Sequence, residues 1–195
     1  MSVGVTSTRA GGVHLTGWHA RKRLQKDERR RLARQDVLGV RLVELHHIRA
    51  LLEETTILIN IGWIQNAWCA VLDAQGRQHK LTVPDFHLET ERPVSGVCLV
   101  GGIVYAAGGP HTAHSQLVQR TLDLTWHALY EGERGPVRWC PSPEVRSAHV
   151  RDLTRWNDHP QRTSRQVSAL LHSAVKTAND QIELRRAQQS TVAQR

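Results

Sequence analysis

Cys98 stands within VSGVCLVGGIVYAAGG, residues 94–109, with Ser95 just ahead of it and glycines behind. If Ser95 caps a helix running to about Ala107, Cys98 falls near the third helical position. Free backbone N–H groups and the helix dipole favour a thiolate there. A thiolate nucleophile also needs a base and a group to orient it. His111, His114 and His159 could supply the base, and Asn157 or Asp158 could hold it. That constellation describes a Cys98-dependent hydrolase or transferase, with Cys98, His159 and Asn157 as its catalytic candidates. The favoured reading of the same residues is structural. Cys98 is then a small buried hydrophobe, with Gly101 and Gly102 admitting a close neighbour. Asn157 and Asp158 then bond local backbone donors between two helices, and Trp156 covers the core. In the functional alternative Asn157, Asp158 and Arg162 line a polar pocket.

Twelve histidines raise a metal site as a second chemistry. His111 and His114 are three apart and His46 and His47 are adjacent. No Cys-x-x-Cys or His-Glu-x-x-His accompanies them, so solvated histidines are expected, with no metal and no cofactor. The three cysteines, Cys69, Cys98 and Cys140, are odd in number and widely spaced. That pattern is no disulfide framework and suits a reducing cytoplasm.

The strongest compositional signal is a run of cations: Arg21, Lys22, Arg23, Lys26, Arg29, Arg30, Arg31 and Arg34. Residues 1–34 hold nine Lys/Arg against two acids, a balance of +7, whereas residues 35–175 hold thirteen against fourteen. The basic character belongs to an N-terminal arm, and the body is close to neutral. Such a run neutralises phosphates and releases counterions, so nucleic acid is the first partner expected. An acidic protein surface is the second, and a solvated helix with no partner is the third. Trp18 beside the run could stack on a base.

The elements that position these residues follow from periodicity and punctuation. The first twenty residues show none and read as flexible. The basic segment to Leu42 is rich in helix formers but carries like charges at i,i+4, so it gains order against a partner. From Val40 the apolar stripe Leu45, Ile48, Leu52, Thr55, Ile59 predicts a helix ending at Gly62. AWCAVLDAQGRQHKLTV predicts a β-hairpin near 67–83, turning through Asp73 to Gly76. Pro84 to Pro93 reads as a loop. Thr112 caps a helix that stops at Gly132, and Ser142-Pro143-Glu144 opens another that ends near Trp156. Thr163 and Gln166 have capping-box spacing before a last helix that fades beyond Asn179.

Residues 45 to about 178 resemble a family of small uncharacterised proteins, a domain of unknown function, from actinobacteria and their phages. The resemblance rests on Gly62-Trp63 with Gln65, the hairpin with Asp73 and Gly76, and the Cys-Leu-x-Gly segment Cys98 to Gly101. It continues through Trp156-Asn157-Asp158, then Arg162-Thr163 ahead of Val167 and Leu170-Leu171. It implies a fold neighbourhood and an origin, and no activity.

The expected fold is mostly α (α+β), about five helices with one β-hairpin. A flexible basic arm covers 1–34, a single helical domain 35–180 and a polar tail 181–195. No apolar run reaches the roughly 18–20 residues that span a bilayer, so no membrane partner is expected. The start also lacks the apolar stretch of a secretory signal. The expected function is a non-enzymatic accessory or regulatory protein that binds a polyanion, foremost nucleic acid, through its arm. The alternatives are the Cys98 enzyme and an interaction subunit of a larger, phage-type protein assembly.

Overall fold

The computed structural model describes residues 13–82, 93–132, 137, 139 and 142–193, with the backbone alone for 13–17. The first twelve residues, nearly all of the loop expected at 84–93, Cys140, most of the segment leading to Ser142, and residues 194–195 lie outside it.

Five helices and three strands follow one another along the described chain. They are α1 (Val13–Ile61), β1 (Cys69–Leu72), β2 (Gln78–Leu81), β3 (Val94–Val97), α2 (Leu99–Ala106), α3 (Gln116–Tyr130), α4 (Pro143–Asn157) and α5 (Ser164–Ala193). A 3-10 turn at Pro110–Thr112 leads into α3. The mostly α fold with some β is as expected. None of the described helices is long and apolar enough to cross a membrane.

The hairpin forms where the turn chemistry requires it. Asp73 Oδ1 accepts from the N–H groups of Gln75 and Arg77, at 2.9 and 2.8 Å. Gly76 takes φ +75°, which costs a residue without a Cβ little. β1 pairs antiparallel with β2, Cys69 opposite Leu81 and Val71 opposite His79. A third strand was not expected. β3 pairs antiparallel with the other edge of β1, giving the order β2-β1-β3. Ser95 therefore lies in a strand and caps no helix. One further cap differs from expectation: Ser115, not Thr112, accepts from Val118 N at the start of α3. Cys98 is itself the residue that precedes α2.

α2 is apolar on every side, with Leu99 to Val104 all buried, so it forms the centre of the core. The stripe expected on α1 is buried in full: Leu45, Ile48, Leu52, Thr55 and Ile59. α5 lays Val167, Leu171, Ala174 and Ala178 against the same core. Two glycines allow backbones to meet. A Cβ on Gly101 would lie 2.0 Å from the Trp68 carbonyl oxygen, and one on Gly62 would lie 2.2 Å from that of Ser95. No side chain fits at either position.

α1 and α5 run antiparallel. Ser168 Oγ donates to Asn60 Oδ1 at one end of the pair. At the other end Gln189 lies against Gly39. α5 does not fade at Asn179 but continues to Ala193, burying Ile182 on the way. Its polar outer face hides this, because the stabilising partner is far away in sequence, as Gln189 is from Gly39. In that register Ala193 lies opposite residue 35 or so. At 1.5 Å per residue, residues 13–34 carry α1 about 33 Å beyond the end of α5. No helix break separates the basic segment from the body at residue 34, so among the described residues the arm is an extension of α1.

Candidate functional site

The extension presents its cations to solvent, with every residue from Trp18 to Arg30 exposed. At 3.6 residues per turn, Lys22, Lys26, Arg29 and Arg30 share one side, and Arg23 and Arg34 flank it. The opposite side is partly compensated: Arg31 Nη2 lies 2.8 Å from Glu28 Oε1. Lys22 Nζ sits 3.9 Å over the Trp18 ring, a cation–π contact one helical turn apart. Lys22/Lys26, Lys26/Arg30 and Arg30/Arg34 are like-charged i,i+4 pairs, each costing a few tenths of a kcal/mol in an isolated helix. A bound polyanion would remove that repulsion.

Cys98 stands in a different environment. It is buried, and its Sγ accepts from Gly101 N at 3.2 Å. Burial pushes the thiol up to about 12, so at neutral pH it is protonated and a poor nucleophile. The helix does not supply the stabilised thiolate that the enzyme alternative requires, because desolvation outweighs the bonds from Gly101 and Val100. The His159 side chain is exposed, and its Nδ1 accepts from Gln161 N. His111, in the 3-10 turn, and His114, just after it, are both exposed. Among the described residues, no histidine ring is bonded to the Cys98 sulfur.

Asn157 is buried at a junction of four segments. Its Oδ1 accepts from Trp63 Nε1 at 2.9 Å and from Leu99 N at 3.1 Å. Its Nδ2 donates to Ile64 O at 3.3 Å and to Asp158 Oδ1 at 2.8 Å. Gln65 Nε2 reaches the carbonyls of Asn157 and His159, and Asn66 N donates to Asp158 Oδ1. Arg162 stacks 3.9 Å over Trp156 while its Nε donates to the Trp156 carbonyl. The side-chain bonding capacity of Asn157 is spent on the protein itself. Gly62-Trp63, Gln65, Cys98, Gly101 and Trp156-Asn157-Asp158 therefore form one structural junction.

Sequence reading did not find a charged cluster between α3 and α4. The carboxylate of Asp123 is buried, with Oδ1 3.1 Å from His149 Nδ1 and Oδ2 3.6 Å from Arg146 Nε. His149 stacks on Trp126 at 3.9 Å, and Trp126 Nε1 donates to Asp152 Oδ2. The sequence signal was a single acid, Asp123, set between Leu122 and Leu124 of α3. Its partners lie on another helix.

Among the described residues, no group of three or more His, Cys, Asp or Glu could hold a metal ion. No curated protein matches the chain, and no solved structure does. Residues 44–177 match a family of unknown function, DUF6197, and that span takes in the whole junction around Asn157 while leaving out the basic extension. The chain belongs to the DUF6197 family.

Proposed function

We propose that this is a non-enzymatic accessory or regulatory protein of the cytoplasm that binds nucleic acid through the basic extension of α1. The observation that carries the reading is the exposed face of Lys22, Lys26, Arg29 and Arg30, projecting past the last turn of α5. A helix about 10–12 Å across matches the roughly 12 Å width of the DNA major groove, so duplex DNA can receive it. The contacts such a face offers go to phosphates, which give affinity with weak sequence preference. Burial of Cys98 and its protonated thiol argue against the Cys98 enzyme.

A salt titration of duplex DNA and single-stranded RNA binding tests this. Affinity for duplex DNA should fall steeply with salt, each neutralised phosphate adding about 0.9 to the log–log slope. A chain lacking residues 1–34 should lose most of the binding. Equal retention by both chains, or none by either at low salt, overturns the reading. Capture of an acidic protein by the intact chain in that case would point to the assembly-subunit role.

A further inference from the structure

We propose that the cleft between α2, α3 and α4 binds a small amphiphilic carboxylate, an apolar body with one anionic head, and that Arg146 reads the head. The cleft holds about 500 Å³, the size range of small-ligand sites. Its walls are mostly apolar: Val100 and Val104 from α2, Leu122 from α3, Val150 from α4, and Trp68 from the segment before β1. The polar groups are few. His114 and Gln119 stand on one side, and Arg146 and Ser147 on the other.

Arg146 supplies the charge. Its Nε is buried without a hydrogen bond, 3.6 Å from Asp123 Oδ2. Among the described residues, neither terminal nitrogen of the guanidinium makes a hydrogen bond, so both remain for a ligand. Asp123 cannot leave and cannot be hydrated, because its carboxylate is buried and His149 occupies its other oxygen. The acid therefore holds the guanidinium near it by charge alone, across 3.6 Å, and cancels part of its charge. A planar fork held that way matches the two oxygens of one carboxylate. A dianionic phosphate would bring a second charge toward buried Asp123, and a cationic head would meet Arg146 itself. Gln119 donates to the Ala113 carbonyl and Ser147 to the Pro143 carbonyl. The Gln119 Oε1 and the Ser147 oxygen can therefore accept from a ligand hydroxyl or amide. The site shares no residue with the basic extension, so it stands whether or not nucleic acid binds.

Isothermal titration of the full chain with decanoate, decylamine, 1-decanol and acetate tests the proposal, each kept below any micelle concentration. Decanoate should bind saturably at one site and at least tenfold more tightly than decylamine, and acetate should give no saturable signal. Ala113→Trp and Ser147→Trp, both at the partly open rim, should each weaken decanoate at least tenfold with unchanged circular dichroism. The double variant Asp123→Asn/Arg146→Gln removes both charges together and should bind decanoate and decanol alike. Absence of saturable decanoate binding, equal affinity for the amine, or rim variants that bind like the parent would each overturn it. If one tryptophan variant fails to fold, the other and the charge-neutral double variant still decide.

Discussion

Trp63 and Asn157, 94 residues apart in sequence, are joined by a 2.9 Å hydrogen bond from the indole N–H to Oδ1, and the same oxygen accepts the first N–H of α2. One side chain thus fixes the end of α1, the start of α2 and the end of α4. Asn157→Ala leaves two donors without their acceptor in a place that water does not reach. It should cost about 3 kcal/mol, at the usual price of an unsatisfied buried group. Urea unfolding of the variant against the parent measures this. A loss below 1 kcal/mol would mean that the junction is slack.

Cys98→Ala should cost only on the order of 1 kcal/mol, because little more than a sulfur-sized volume is lost and Gly101 N loses a weak acceptor. In the folded protein the thiol should react with a disulfide reagent far more slowly than in urea. Rapid native-state labelling would contradict the burial and restore the nucleophile.

Gly101→Ala should be far worse than its one added methyl group suggests. The Cβ would sit 2.0 Å from a backbone oxygen in the middle of the core, and neither α2 nor the Trp68 segment can retreat without breaking β1. Loss of cooperative thermal unfolding is the expected result. Gly76→Val places a branched residue at φ +75° and should destabilise the hairpin less severely, since the turn faces open space.

Asp73 gives the hairpin a pH dependence of known sign. The bond from His79, then those from Arg77 and Gln75, hold its carboxyl well below the ordinary 3.8. A lowered folded-state value means the added stability is present above about pH 4 and is lost as pH falls further. Asp73→Asn should therefore lower the urea midpoint at pH 7, and the gap to the parent should narrow by pH 3. A gap that stays constant would show that the carboxylate charge contributes nothing.

On α1, Arg29→Glu, which changes the net charge as much as Arg31→Glu does, should weaken duplex binding strongly, with the melting temperature of the body nearly unchanged. Arg31→Glu, on the side already paired with Glu28, should do much less. Equal losses from both variants would mean that total charge, and not the face, governs binding.

How much of this was legible in the sequence depends on range. The hairpin turn, the Ser142-Pro143-Glu144 start of α4 and the box at α5 are local devices, and each stands where its residues put it. Thr163 N donates to Gln166 Oε1 at 3.0 Å while Gln166 N donates back to Thr163 Oγ1. β3 was hidden because Val94 to Val97 pair through backbone groups with a strand more than twenty residues earlier, and small residues leave no alternating pattern. The length of α5 was hidden for a related reason, since its far half is held by α1 and not by its own composition. The Asp123, Arg146 and His149 cluster joins two helices and was beyond any spacing argument. Asn157 was marked in the sequence as a structural residue, but its four bonding partners were not.

Because α1 is continuous from the basic side chains into the buried stripe, the direction in which the charge points is tied to the body by helical phase. One residue inserted near position 35 would turn the basic face by about 100° and advance it about 1.5 Å. Two would swing it most of the way round, and seven would bring it nearly back with a displacement of about 10 Å. Composition, net charge and helix content would be almost the same in all three chains. A partner that must meet the basic face and the body together would distinguish them by azimuth alone.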